Sequence, residues 1–112
     1  MSFASEELAE RLRAYPWRGP VVEKKMFGGV AFMQRGNMVV AAMKEGELIV
    51  RVGKDGMEAA LALPGAGKMD MSGRSMSGFV VVDGDVIEDE DALFDWVARA
   101  AAFVDTLPAK DG

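Results

Sequence analysis

The chain has no cysteine and no histidine among its 112 residues. The first absence excludes disulfides, thiolate zinc sites and cysteine nucleophiles. The second removes both the commonest general base and the commonest metal ligand. An enzyme built on this chain would work with Asp, Glu, Lys, Ser or Tyr alone, so a non-enzymatic domain without a cofactor is expected. Long apolar runs are also missing, and no stretch approaches the roughly 20 residues that a membrane-spanning helix needs. The N-terminus "MSFASEELAERLRAY" begins with acids and lacks the basic-then-apolar order of a signal peptide. These features lead us to expect a cytoplasmic protein with no membrane association.

Half of the residues are hydrophobic, with two Trp, six Phe and one Tyr, which is enough for a real core. The length suits one domain spanning residues 1–112. The net charge of −5 is unevenly spread. Residues 1–51 carry eight basic and six acidic side chains, whereas residues 52–112 carry five basic and twelve acidic. The acidic half argues against non-specific nucleic-acid binding and suits solubility or a protein partner.

Leu8, Leu12 and Tyr15 fall on one helical face, so a helix is expected over residues 2–15, with Ser5 as its cap and Pro16 as its stop. From Val21 to Val52, apolar stretches are cut by glycine at Gly28-Gly29, Arg35-Gly36-Asn37 and Lys44-Glu45-Gly46. Four antiparallel strands, at about 21–27, 30–34, 38–43 and 47–52, fit that punctuation. Asp55 and Glu58 have capping-box spacing ahead of a short helix carrying Met57, Ala60 and Leu61, which Pro64-Gly65-Ala66-Gly67 ends. "KMDMSGRSMSG" reads as one short strand and a loop, and "FVVV" as a strong strand. Residues 89–105 read as a helix with Leu93, Val97, Ala100 and Val104 on one face and Trp96 and Phe103 beside it. Four acids, Glu88 to Asp91, sit at its start, where the helix dipole favours them. The order predicts an α+β fold. A four-strand meander plus one or two further strands forms an antiparallel sheet, with the N- and C-terminal helices packed on one face.

The chemical motifs fail on inspection. A phosphate loop would need Gly at position 62 and Ser or Thr at 69, but these are Ala62 and Met69. "GRSMSG" misses the nucleophile-elbow spacing by one residue, and no histidine could activate Ser75. Counted from Asp83 as an EF-hand, the loop has Ile87, Glu88 and Phe94 at positions five, six and twelve, all wrong. Met69, Met71 and Met76 could offer soft sulfur to Cu(I), but methionine more often fills adaptable surfaces. A small-molecule site under that loop, with Arg74 converging on it, is a further alternative. The basic residues Lys24, Lys25, Arg35, Lys44 and Arg51 lie in or beside the meander, with Phe27 and Phe32 among them. They offer a nucleic-acid surface by charge and stacking. The blander reading makes Phe27 and Phe32 core and leaves Lys24, Lys25, Arg35 and Arg51 as a partner-facing or merely solvated set.

The stretches "KKMFGGVAFMQRGNMVVAAM", "GELIVRVG" and "DEDALFDWVARAAAFV" together resemble the N-terminal domain of the TfoX (Sxy) competence-regulator family. Lys25-Met26-Phe27-Gly28-Gly29, Gly36, Leu48 to Val52, and Leu93, Trp96 and Ala100 carry the likeness, over about residues 10–105. The family's Tyr-rich segment is replaced here by "KMDMSGRSMSGF". The resemblance implies a stand-alone α+β regulatory module, related to YjbR-type domains, tied to competence and transcription regulation. The absence of His and Cys, the failed motifs and the acidic half lead us to expect action through a protein partner or a second copy of the chain. Met26, Phe27, Gly28, Gly29 and Trp96 are its structural motif. The glycine pair is expected to serve chain reversal between the first two strands.

Overall fold

The computed structural model describes residues 3–26, 28–71 and 74–109. The first helix, α1 (Phe3–Arg13), leads into β1 (Val22–Met26), β2 (Gly29–Gln34), β3 (Asn37–Ala42) and β4 (Leu48–Arg51). A short helix, α2 (Met57–Leu61), is followed by β5 (Ala66–Met71), β6 (Arg74–Val82) and the long helix α3 (Glu90–Val104). All six strands form one antiparallel sheet in the order β1-β2-β3-β4-β6-β5. The four-strand meander falls where its glycines place it. No helix is long and apolar enough to cross a membrane among the described residues.

One sheet face carries the main core. Leu8, Ala9 and Leu12 of α1, Ala60 of α2 and Leu93, Trp96, Val97, Ala100 and Val104 of α3 pack with Phe32, Val40, Leu48, Val50, Val80 and Val82. The α+β architecture with terminal helices on one face thus follows from the helical and strand periodicities. Asp89 caps α3, its Oδ2 accepting from the Ala92 backbone N–H at 3.1 Å. Beyond α1, Trp17 donates its indole N–H to the Leu12 carbonyl at 2.9 Å and stacks on Phe32 at 5.8 Å between centroids. A polar hydrogen bond and an apolar ring face therefore close the helix C-terminus together.

Three local expectations are corrected. Ser5 does not precede the first helix; it lies buried inside the first turn of α1. The Asp55–Glu58 capping box does not form, because α2 starts one residue too late for it. Gly56 takes the N-cap position, with no side-chain hydrogen bond. The segment read as a short strand and a loop is the hairpin β5–β6, with Ala66 and Gly67 already in β5. Its composition is poor for a strand, but β5 is an edge, and an edge strand takes its ladder from a strong neighbour. That neighbour is β6, anchored by Val80 and Val82.

Candidate interaction surfaces

Among the described residues, the opposite sheet face has no helical residue in its core. Ala31, Ala41, Ile49 and Met69 are buried there, and Met26, Met33, Met38, Met43, Phe79 and Val81 pack half-buried around them. The pairing explains the pattern. Lys24, Ala31, Ala41, Ile49, Val81 and Gly67 are successive cross-strand partners, one row running across all six strands. The middle of that row is small or β-branched, and methionines rise on both sides of it. Methionine is the side chain best able to fold over such a row, because its thioether chain is unbranched and adaptable.

A bulge makes the face continuous. Phe32 pairs with Val40, but Met33 pairs with Met38, so Val39 is an extra residue in β3. Val39 and Val40 both enter the helix-side core. Met38 and Ala41, three residues apart, therefore share the methionine side.

At one end of the sheet, Gly28 and Gly29 turn β1 into β2. Gly28 has φ +75°, the left-handed region that favours glycine. Gly29 is needed for another reason: a Cβ there would overlap the Ala42 carbonyl oxygen. The pair thus serves chain reversal at one position and close strand approach at the next. An open cleft of about 990 Å³ beside it is lined by Ser5, Lys25, Gly28, Gly29 and Lys44, among others. Met26 joins the methionine face. Phe27 lies outside the described residues.

The basic residues singled out in the sequence do not converge. Lys24 pairs with Ala31 and Lys25 with Val30, so successive lysines of β1 point to opposite sides of the sheet. Arg35 sits in the two-residue turn between Gln34 and Asn37, with φ +52°. Its guanidinium donates to the Val104 carbonyl at 2.8 Å and lies 3.4 Å from the Asp105 carboxylate. It therefore closes the C-terminus of α3, where the helix dipole favours a cation. Arg51 lies over the Phe79 ring at 5.5 Å and the Phe103 ring at 6.0 Å. Phe32 is buried against Trp17 and offers no exposed ring for stacking. Trp96 is core, with Arg99 over its ring at 5.8 Å. The side chains of Met71, Arg74, Ser75 and Met76 lie outside the described set.

One ion pair was not legible in the sequence. Arg13 donates two 2.8 Å hydrogen bonds to the Glu23 carboxylate, tying the end of α1 to β1. The hydrogen bond to Arg13 holds the Glu23 carboxyl below its usual range, against a smaller opposing effect of burial. Arg13 is raised in turn by the same bond.

The TfoX N-terminal domain family model matches residues 11–104, most of the chain. The chain belongs to the TfoX N-terminal domain family. No curated protein and no solved structure gives a match. The matched region of this TfoX N-terminal domain contains all six strands, α2 and α3, and so the whole methionine face.

Proposed function

We propose that this domain is a non-enzymatic interaction module that binds protein through the methionine face of its sheet. Family membership supports a regulatory setting, in competence or transcription control. The observation that carries the reading is the asymmetry of the sheet. One face is sealed by α1 and α3, while the other is apolar, centred on Ala31, Ala41 and Ile49, and carries no helix among the described residues. Adaptable methionine surfaces suit binding to a protein. The chain's lack of Cys and His leaves little for catalysis. The scatter of Lys24, Lys25, Arg35 and Arg51 weighs against a groove that tracks phosphates.

Affinity capture from the native cell tests this, with lysates treated or untreated with nuclease. The wild-type chain should retain protein in both lysates, and the Met33→Glu/Met38→Glu variant should lose it. Capture that the double variant keeps would refute the face. Capture that nuclease abolishes would move the reading to nucleic acid.

A further inference from the structure

We infer that the free edge of β1 docks an extended acidic segment of a partner protein, which joins the sheet as a further strand. This rests on the reading of the domain as a protein-interaction module, but on the edge of its sheet and not on its methionine face.

The sheet order leaves two edges, β1 and β5, and they are not equivalent. β5 shifts register against β6 between Lys68 and Asp70, and such interruptions blunt an edge against further pairing. β1 pairs with β2 from Val22 to Met26 without a shift. Ladder geometry commits the backbone groups of alternate β1 residues to β2 and turns the others outward. α1 packs on β2 and β3 and meets β1 through the Arg13–Glu23 pair. Val22, Glu23, Lys24 and Lys25 are all exposed. Val22, at 56%, is the one strongly exposed large hydrophobic among the described residues.

The side chains of β1 specify what can pair there. Val22, Lys24 and Met26 stand opposite Met33, Ala31 and Gly29, on the methionine side. Lys24 is therefore flanked on that side by two apolar residues. Glu23 and Lys25 stand opposite Phe32 and Val30, on the helix side. There a cleft of about 480 Å³ opens between α1 and β1, lined by Ala9, Glu10, Arg13, Glu23, Lys25 and Val30 among others. Glu23 is held by Arg13, whereas neither lysine enters an ion pair among the described residues. An added strand places its own alternate side chains in both environments. Paired antiparallel, the matching order is apolar, acid, acid, small neutral, apolar. The acids then face Lys25 and Lys24, and the apolar ends face Met26 and Val22.

Lysine on an edge strand repels strands of like charge, and here it also selects against a second copy. A two-fold axis pairing β1 with β1 sets Glu23, Lys24 or Lys25 opposite itself in every register with substantial overlap. Like charges directly opposite destabilise the pair. An acidic strand meets no such penalty.

Fluorescence anisotropy on the full chain tests the inference, with labelled peptides carrying Val-Glu-Glu-Thr-Val between Gly-Ser ends. This peptide should bind saturably below about 1 mM, and more weakly as salt rises. The Val-Lys-Lys-Thr-Val counterpart should not bind. Lys24→Glu should weaken the acidic peptide about five- to tenfold, and Val-Glu-Lys-Thr-Val should restore binding to that variant. A merely structural role for Lys24 would not give that rescue. Hydrogen exchange with the acidic peptide bound should slow in β1 and not in β5. An acidic peptide that binds no better than its lysine counterpart overturns the inference, as does protection that falls outside β1. So does a β1 already protected at high protein concentration without peptide, because a second copy then holds the edge. If the peptides fail while Met33→Glu/Met38→Glu still loses captured protein, the edge inference falls alone. If they bind as expected while that double variant keeps its capture, the face reading falls alone.

Discussion

Two adjacent glycines that look interchangeable in the sequence should respond very differently to the same substitution. Gly28 has a positive φ and an exposed position, and an added Cβ would rest at ordinary contact distance, 3.4 Å, from Lys44 Cδ. Gly28→Ala therefore carries the left-handed backbone penalty of about 1–2 kcal/mol. The loss of unfolded-chain entropy offsets this by about 0.4–1 kcal/mol. Gly29 has no such backbone demand, but its Cβ would collide with the Ala42 carbonyl, a rigid backbone atom. Relief requires β2 to move off β3 beside the Val30–Ala42 pair. Overpacking of this kind costs about 1–3 kcal/mol, and a lost ladder hydrogen bond adds about 1 kcal/mol. The expected order is a net cost near 1 kcal/mol for Gly28→Ala and about 2–4 kcal/mol for Gly29→Ala. In a domain of this size that is about 4 °C against about 10–15 °C in melting temperature. Urea unfolding with a common slope measures both. Gly28→Asn should lie nearest the wild type, because Asn tolerates the left-handed region. If Gly29→Ala proves no more harmful than Gly28→Ala, the close approach of β2 to β3 is wrong.

Arg35→Ala should destabilise by about 1–2 kcal/mol, because the Val104 carbonyl loses a charge-assisted donor while the strained turn remains; an unchanged denaturation midpoint would contradict this. Mild peroxide treatment should oxidise the half-buried methionines of the bare face before buried Met69, making an apolar surface polar. Peptide mapping with affinity capture should then show sulfoxide at Met33 and Met38 together with weaker retention of protein. The Arg13–Glu23 pair gives a pH test. Because the folded-state Glu23 carboxyl is held down, its contribution is full above the unfolded carboxyl value and is lost as pH falls through the folded one. Both groups are substantially exposed, so the effect stays below about 1 kcal/mol. The stability gap between wild type and Glu23→Gln should be present at neutral pH and close as pH falls below the ordinary carboxylate range; a gap that widens in acid would refute the sign.

Much of the fold was legible because local signals and tertiary demand agree. The meander strands sit between glycine turns, and α3 combines a capping Asp89 with apolar residues at helical spacing. The misses occur where tertiary partners decide. "AGKMDM" is a strand only because β6 lies beside it, and no property of those six residues announces that. The scatter of the basic residues was hidden for a related reason. Lys24 and Lys25 are neighbours in sequence, but strand alternation sends them to opposite sides. Arg35 and Arg51 are spoken for by a helix end and two rings, contacts 69 and more residues away for Arg35.

The methionine face illustrates the same limit more sharply, because one inserted residue controls it. In β3, read by strict alternation, Met38 and Val40 would share a side, and Val39 and Ala41 would share the other. That reading puts Met38 in the helix core and Val39 opposite, and the small row across the sheet is invisible. Placing Val39 in a bulge lets two consecutive valines, Val39 and Val40, enter the core under α3. It also returns Met38 to the side of Ala41, beside Met33 and in line with the other methionines. The scattered methionines of the sequence become a surface only after that one-residue shift. Deleting Val39 leaves Met38 and Ala41 two residues apart, so regular alternation should keep Met38 on the methionine side while the core under α3 loses one valine. Peroxide should therefore still oxidise Met38 in that variant, at a lower urea midpoint, and a Met38 protected by burial would show that Val39 is not the inserted residue.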